Sequence, residues 1–244
     1  MTGSKVAVVT GGSRGIGRAV AERLAGDGVA VAVRYAASSE AALEIVTGLR
    51  LAGSSVVAVR ADVADPGQAA ALFDQCESEF GAVDIVVASA GIMRPALIAE
   101  ATDKDFTEQV EVNVPQTFNA LRQAGRRVRD DGRFLMLSGT ALALNAPGYG
   151  AYNALRGAVE GSPRDLAKAV GPRGVPVNAV APGPAETDLF LAGKSARDVE
   201  RLAGLARRRQ IGQPADIADA VALRASSDSG WTSGQVIRAN GPAA

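Results

Sequence analysis

The stretch GYGAYNALRGAVEG, Gly148 to Gly161, sets Tyr152 and Arg156 four residues apart in a segment of helical period. Residues so spaced share a helix face. A phenol able to exchange a proton therefore stands beside a cation that keeps its charge. Nearer the amino end, TGGSRGIG (Thr10 to Gly17) follows an apolar run and opens a helical one. Glycines there permit positive φ and let backbone N–H groups and the helix N-terminus approach a phosphate. A tight turn without ligand is the plain alternative, but the strand before and the helix after favour a nucleotide site.

Two absences narrow the chemistry. The 244 residues hold no histidine and a single cysteine, Cys76, which excludes serine-histidine and cysteine-histidine nucleophile pairs, zinc sites and internal disulfides. Cys76 lies at helical spacing and reads as a small core filler. Acidic and basic side chains balance at 26 each, so no field is expected to draw the chain to nucleic acid or an anionic membrane. The opening MTGSKVAVVTGG lacks a secretory signal and no apolar stretch is long enough to span a bilayer, so a soluble cytoplasmic protein is expected.

The elements that must position these groups follow from the apolar pattern. Runs rich in Val, Ile and Ala recur at 5–10, 29–35, 55–61, 84–90, 133–139, 175–181 and 234–240. Helical segments lie between them at Gly15 to Gly26, Ser39 to Leu51, Pro66 to Phe80 and Ala101 to Arg129, with another from Tyr152 to Val170. Strands apolar on both faces that alternate with helices indicate a covered parallel sheet. The expected fold is doubly wound α/β, about seven strands in one domain, with the ligand crevice beyond the carboxyl ends of the strands.

At the end of the second strand an NAD site would usually carry an acidic residue, but this chain has Arg34, then Tyr35 and small polar residues. With Arg14 in the glycine loop, the two guanidinium groups suit a 2′-phosphate and favour NADP. A solvated strand end is the plain reading of Arg34. Asp62, after the third strand, is placed to accept from an adenine amino group or to make an Asx turn before the helix at Pro66, or both.

In combination, Thr10 to Gly17, Asp62, ASAG (Ala88 to Gly91), Asn113 in EVNV, Tyr152 and APGPAETDLF (Ala181 to Phe190) resemble the short-chain dehydrogenase/reductase family from Lys5 to Gly241. The pattern is similar to bacterial carbonyl reductases, including those acting on 3-oxoacyl carrier-protein thioesters. The resemblance implies an NADP site formed by Gly11, Ser13, Arg14, Gly15, Ile16, Gly17, Arg34, Tyr35, Asp62, Val63, Ser89, Ala90, Gly91, Tyr152, Arg156, Pro182, Gly183 and Thr187. Within it, Thr187 would bond the nicotinamide carboxamide. Asn113 would bend the central helix and hold a water feeding a proton chain, unless it is simply a helix-interior amide bonded to backbone. Tyr152 would be the acid of carbonyl reduction.

Three departures stand out against that family. Its lysine four residues after the tyrosine is Arg156 here, which keeps the charge but does not readily release a proton. Its serine thirteen residues before the tyrosine is Gly139, flanked by Ser138 and Thr140, so Ser138 enters the catalytic set only if the strand bulges or slips. Ser89 stands where other members carry asparagine. The preferred reading is an NADPH-dependent reductase with Tyr152, Arg156, Asn113 and Ser138 as its altered catalytic set. The alternatives are a cofactor-binding partner subunit with little redox activity, or an enzyme reusing the pocket for cyclisation, dehydration or isomerisation.

The resemblance also implies a helical substrate lid at about 187–213 and a homotetramer or homodimer built on the long helices. The substrate would be a small carbonyl compound. It could be carried on an acidic carrier protein drawn by Arg207 to Arg209, Arg126, Arg129 and Arg173, for which solvated cations near helix ends are the plain reading.

Overall fold

The computed structural model describes residues 4–37 and 39–243; the first three residues, read above for a leader, and Ser38 of the small polar stretch after Tyr35 lie outside them. Seven strands form one parallel sheet in the order β3-β2-β1-β4-β5-β6-β7, the doubly wound arrangement expected. The strands are β1 (Val6–Thr10), β2 (Ala30–Tyr35), β3 (Val56–Arg60), β4 (Val83–Ala88), β5 (Val128–Leu137), β6 (Val177–Pro182) and β7 (Val236–Ala239). The helices are α1 (Gly15–Gly26), α2 (Ser39–Leu51), α3 (Pro66–Phe80), α4 (Asp103–Arg127), α5 (Ala141–Leu144), α6 (Gly150–Val170), α7 (Asp188–Leu191), α8 (Ala196–Ala203) and α9 (Pro214–Ala225).

The sheet holds because alternate residues of each central strand feed opposite layers. Val6 and Val8 of β1 join Phe73, Leu121 and Val159 on one side, and Ala7 and Val9 join Val20, Leu24 and Val221 on the other. Each fully buried valine contributes about 1.5–3 kcal/mol of transfer free energy. Cys76 is fully buried in the first layer, where burial pushes its thiol up to about 12.

Local chemistry sets the helix ends. Asp65 caps α3 by accepting from the Gln68 amide at 2.7 Å, with Pro66 at the first turn, where its missing N–H costs nothing. Thr102 caps α4 in the same way, which starts that helix two residues after its expected beginning at Ala101. It ends at Arg127, short of Arg129, because β5 begins at Val128 and not at 133. The register between β4 and β5 jumps from Val83↔Val128 to Ile85↔Arg133 across a bulge with Asp131 in the left-handed region at φ 61°. An irregular strand of this kind has no period-2 signature in the sequence.

Candidate active site

The carboxyl ends of β1, β4, β5 and β6 open into one cavity of about 740 Å³ that runs from Arg34 and Arg60 at one end to Tyr149, Tyr152 and Phe190 at the other. The glycine loop forms its floor. Gly11 sits at φ 66°, and a Cβ there would lie 2.9 Å from Ala90 Cα, while one on Gly17 would collide with the Gly11 carbonyl. Gly15 sits at φ 52°, and a Cβ there would lie 3.3 Å from the Thr187 methyl. The turn is thus a backbone cradle at the N-terminus of α1, of the shape that receives a pyrophosphate. Thr10 Oγ1 accepts the Ser89 and Ala90 amides at 3.0 and 3.2 Å and so fixes the ASAG loop against the cradle.

At the far end Arg34 is 6% exposed, and its Nε donates to the Ala61 carbonyl at 2.5 Å. Burial depresses its guanidinium from the ordinary value, opposed by Asp62, 3.9 Å from its second nitrogen. It is therefore no solvated strand end. Arg14 is exposed at the mouth, and Arg60, unremarked in the sequence reading, adds a third guanidinium beside Tyr35, its register partner. Its signal was its place near the end of the third apolar run, two residues before Asp62. Asp62 makes the Asx turn, accepting from the Ala64 amide at 3.0 Å, and still borders the cavity. Val63 is a correction: its side chain lies in the core and its carbonyl is held by Asn119 at 3.0 Å, so it does not line the cavity.

Tyr152 is 8% exposed on the first turn of α6 and borders the cavity. One turn on, the Arg156 guanidinium lies over its ring, 4.8 Å from the centroid, and donates to the Leu137 carbonyl at 3.0 Å; its Nε is buried without a partner. A guanidinium reaches across the end of β5 to that carbonyl, which ties the helix to the strand.

The serine position is empty of hydroxyl. A Cβ on Gly139 would stand 3.3 Å from Tyr152 Oη, so this backbone position faces the phenol. Neither neighbour compensates. The Ser138 hydroxyl is bound to the Glu160 carboxylate, two turns beyond Tyr152 on α6, and the Thr140 hydroxyl donates to the Ala181 carbonyl at 3.0 Å. The expectation that Ser138 joins the catalytic groups is corrected: β5 does not slip to turn it toward Tyr152.

Asn113 is likewise engaged. Its amide donates to the Ile92 and Gln109 carbonyls at 3.0 and 2.9 Å and accepts the Ile92 N–H at 3.1 Å, while Thr117 caps its backbone carbonyl at 2.9 Å. The helix-interior reading therefore describes its bonds, which lash α4 to the segment after β4 and use both of its amide hydrogens. Gln116, three residues along and not singled out by the sequence, makes a parallel tie to the Ala90 carbonyl at 2.7 Å.

Over the Tyr152 end, Thr187 caps α7 through Phe190 N–H at 3.1 Å. Lys194 Nζ donates to the Phe190 carbonyl at 2.6 Å and lies over the Phe190 and Tyr149 rings at 4.7 and 5.7 Å, which pins this segment to the start of α6. Pro182 and Gly183 border the cavity below it. Of the basic residues considered for a carrier protein, Arg129 pairs with Asp84 and Arg173 with Asp130, whereas Arg207 to Arg209 are exposed. Among the described residues no helix is long and apolar enough to cross a membrane.

Known proteins share this arrangement. The family profile described as enoyl-(acyl carrier protein) reductase matches residues 11–241. A short-chain type dehydrogenase/reductase of Picea abies is 38% identical, the alignment covering 98% of this chain and 92% of that one. Versicolorin reductase of Emericella nidulans is 37% identical over 98% of this chain and 95% of its own. A short-chain dehydrogenase of Burkholderia cenocepacia, solved in complex with NADP, superposes with a TM-score of 0.91 at 34% identity, covering 98% of this chain and 97% of that one. On the profile match over most of the chain and on these relatives, this protein belongs to the short-chain dehydrogenase/reductase family.

Proposed function

We propose that the protein is an NADPH-dependent reductase of a ketone or related carbonyl compound, working with an altered catalytic set. The observation that carries the reading is the buried phenol of Tyr152 facing the cavity with the Arg156 guanidinium stacked on its ring. Tyr152 gives its proton to the carbonyl oxygen, and Arg156, stacked on its ring and bonded to the Leu137 carbonyl, holds the phenol in place. A reduced nicotinamide, when bound, supplies the hydride.

The residues fit such a dinucleotide. Gly11, Ser13, Gly15, Ile16 and Gly17 line the pyrophosphate cradle; Arg14, Arg34 and Arg60 give the adenosine end three guanidinium groups and a preference for a 2′-phosphate. Tyr35 and Asp62 border the adenine region, Ser89 to Gly91 the ribose, and Pro182, Gly183 and Thr187 the nicotinamide. The segment 187–213 serves as the substrate lid of a single domain spanning residues 1–244. Exposed Phe106 and Phe118 on α4 support assembly into a homodimer or homotetramer through the long helices.

A second reading has its own support: with Gly139 lacking a hydroxyl and Arg156 committed to the Leu137 carbonyl, a cofactor-binding protein of low or non-reductive activity also fits. Oxidation of NADPH followed with a panel of ketones, beside NADPH binding by fluorescence, separates the two. Tight binding with no turnover removes the reductase.

A further inference from the structure

The sheet side of the cavity has no hydroxyl to spare for a substrate. A Cβ on Gly139 would press on Tyr152 Oη and Cε1 at 3.3 and 3.4 Å, so the phenol itself fills that flank. Ser138 is bound to Glu160, Thr140 to the Ala181 carbonyl, and the Thr187 hydroxyl caps α7. Two phenols remain at this end, Tyr152 and Tyr149. Among the described residues neither Oη has a hydrogen-bond partner, and neither oxygen is shut away from the cavity. Tyr149 is the cap residue of α6, three positions before Tyr152, a spacing that sets side chains next to one another. Its backbone is fixed, since its carbonyl accepts the Asn153 N–H at 2.7 Å. Its ring is held from the lid by Lys194 Nζ, 5.7 Å from the centroid and itself bonded to the Phe190 carbonyl. Burial raises this phenol above its ordinary value, against Arg201 and with Tyr152 and Asp198, so it keeps its proton and stays a donor at neutral pH.

Resting on the reductase reading, we infer that Tyr149 is the second hydrogen-bond donor to the substrate carbonyl oxygen, reaching it from the lid side while Tyr152 reaches it from the sheet side. It does from the helix cap what a strand hydroxyl at position 139 would do. Hydride from the reduced nicotinamide, which is oxidised, forms the C–H bond as the C=O π bond breaks, and the Tyr152 proton completes the O–H bond. Tyr149 bonds the oxygen as charge grows on it and keeps its own proton. Such a donor acts mainly on kcat, because the charge it meets develops in the transition state.

Tyr149→Phe tests this, because it removes one oxygen that makes no bond within the described chain and keeps the ring under Lys194. NADPH binding and Tm, expected unchanged, check the fold. With acetophenone and cyclohexanone as probes, kcat is expected to fall about a hundredfold while KM moves less than about threefold. A variant within about twofold of the wild type in kcat overturns the inference, since the donor then lies elsewhere. A second readout needs no turnover: the carbonyl stretch of isotope-labelled acetophenone bound beside oxidised NADP, followed by difference infrared spectroscopy. Loss of a donor leaves the carbonyl less polarised, so the stretch should rise in Tyr149→Phe, whereas a ring that only packs leaves it unmoved, which overturns the assignment. If the wild type oxidises no NADPH and the stretch still rises in the variant, Tyr149 stands as the carbonyl donor and the reductase reading falls. A wild type that neither binds nor reduces either ketone overturns both.

Discussion

The Cβ site of Gly139 lies 3.3 Å from the phenol oxygen of Tyr152, so the chain brings its acid to the place where a second hydroxyl would act and provides only backbone there. Arg156 lies over the same ring and donates to the Leu137 carbonyl. The two departures bracket one residue, and their effects are coupled.

Restoring both groups should therefore do more than restoring either. Gly139→Ser with Arg156→Lys is expected to raise turnover of simple activated ketones by about ten- to a thousandfold, each single change giving less, because residues acting on one proton transfer are non-additive. Arg156→Lys alone should also lower stability by about 1 kcal/mol, the worth of the lost bond to Leu137. Steady-state kinetics and denaturant melts check both. A double variant that binds NADPH and reduces nothing places the fault in the substrate pocket.

Cofactor preference should rest on the cations at the open end. Arg14→Glu is expected to weaken NADPH by about tenfold or more while NADH holds or improves, because a charge-assisted contact to the 2′-phosphate becomes a repulsion. Arg14 is the cleaner site than Arg34, whose replacement by aspartate would also free the Ala61 carbonyl and set a second carboxylate near Asp62. Equal affinity of the wild type for both cofactors sinks the assignment.

Cys76 gives a pH signature of folding. Its folded thiol is raised to about 12 by burial, above the ordinary 9.0, so the stability it contributes is fully present below pH 9 and drains away as pH rises from 9 toward 12. Cys76→Ala should be less stable at neutral pH by about 1 kcal/mol from the small cavity, yet lose less of its stability between pH 9 and 11. Urea midpoints across that range decide it. The native thiol should also resist alkylation at pH 8.

Assembly should depend on α4. Phe118 is 59% exposed, with Arg122 stacked on it 5.4 Å from the ring centroid, so Phe118→Glu spoils an apolar contact without touching the core. The wild type is expected to sediment as a dimer or tetramer at micromolar concentration and the variant as a smaller species. A wild-type mass of one chain refutes the assembly.

The glycine turn, the alternation of apolar runs with helical ones, and Tyr152 with Arg156 were legible in the linear chain, because each depends on neighbours within a few residues: positive φ, a period of two or 3.6, a spacing of four. Arg34 could be read as a cation at a strand end, but its burial against Ala61 depends on β3, which the chain reaches more than twenty residues later. Ser138 and Thr140 both offered hydroxyls in the right stretch. Only the packing of α6 and β6 on β5 assigned those hydroxyls to Glu160 and Ala181, and left Gly139 as the residue facing Tyr152. The same holds for Asn113, whose amide is consumed by Ile92 across the loop after β4, and for Val63, drawn into the core by the helices around it. Sequence periodicity determines which residues are buried; which way a buried polar group donates is decided by the unsatisfied partner that tertiary contact brings within 3 Å, because leaving that partner unpaired costs more than any local preference of the side chain.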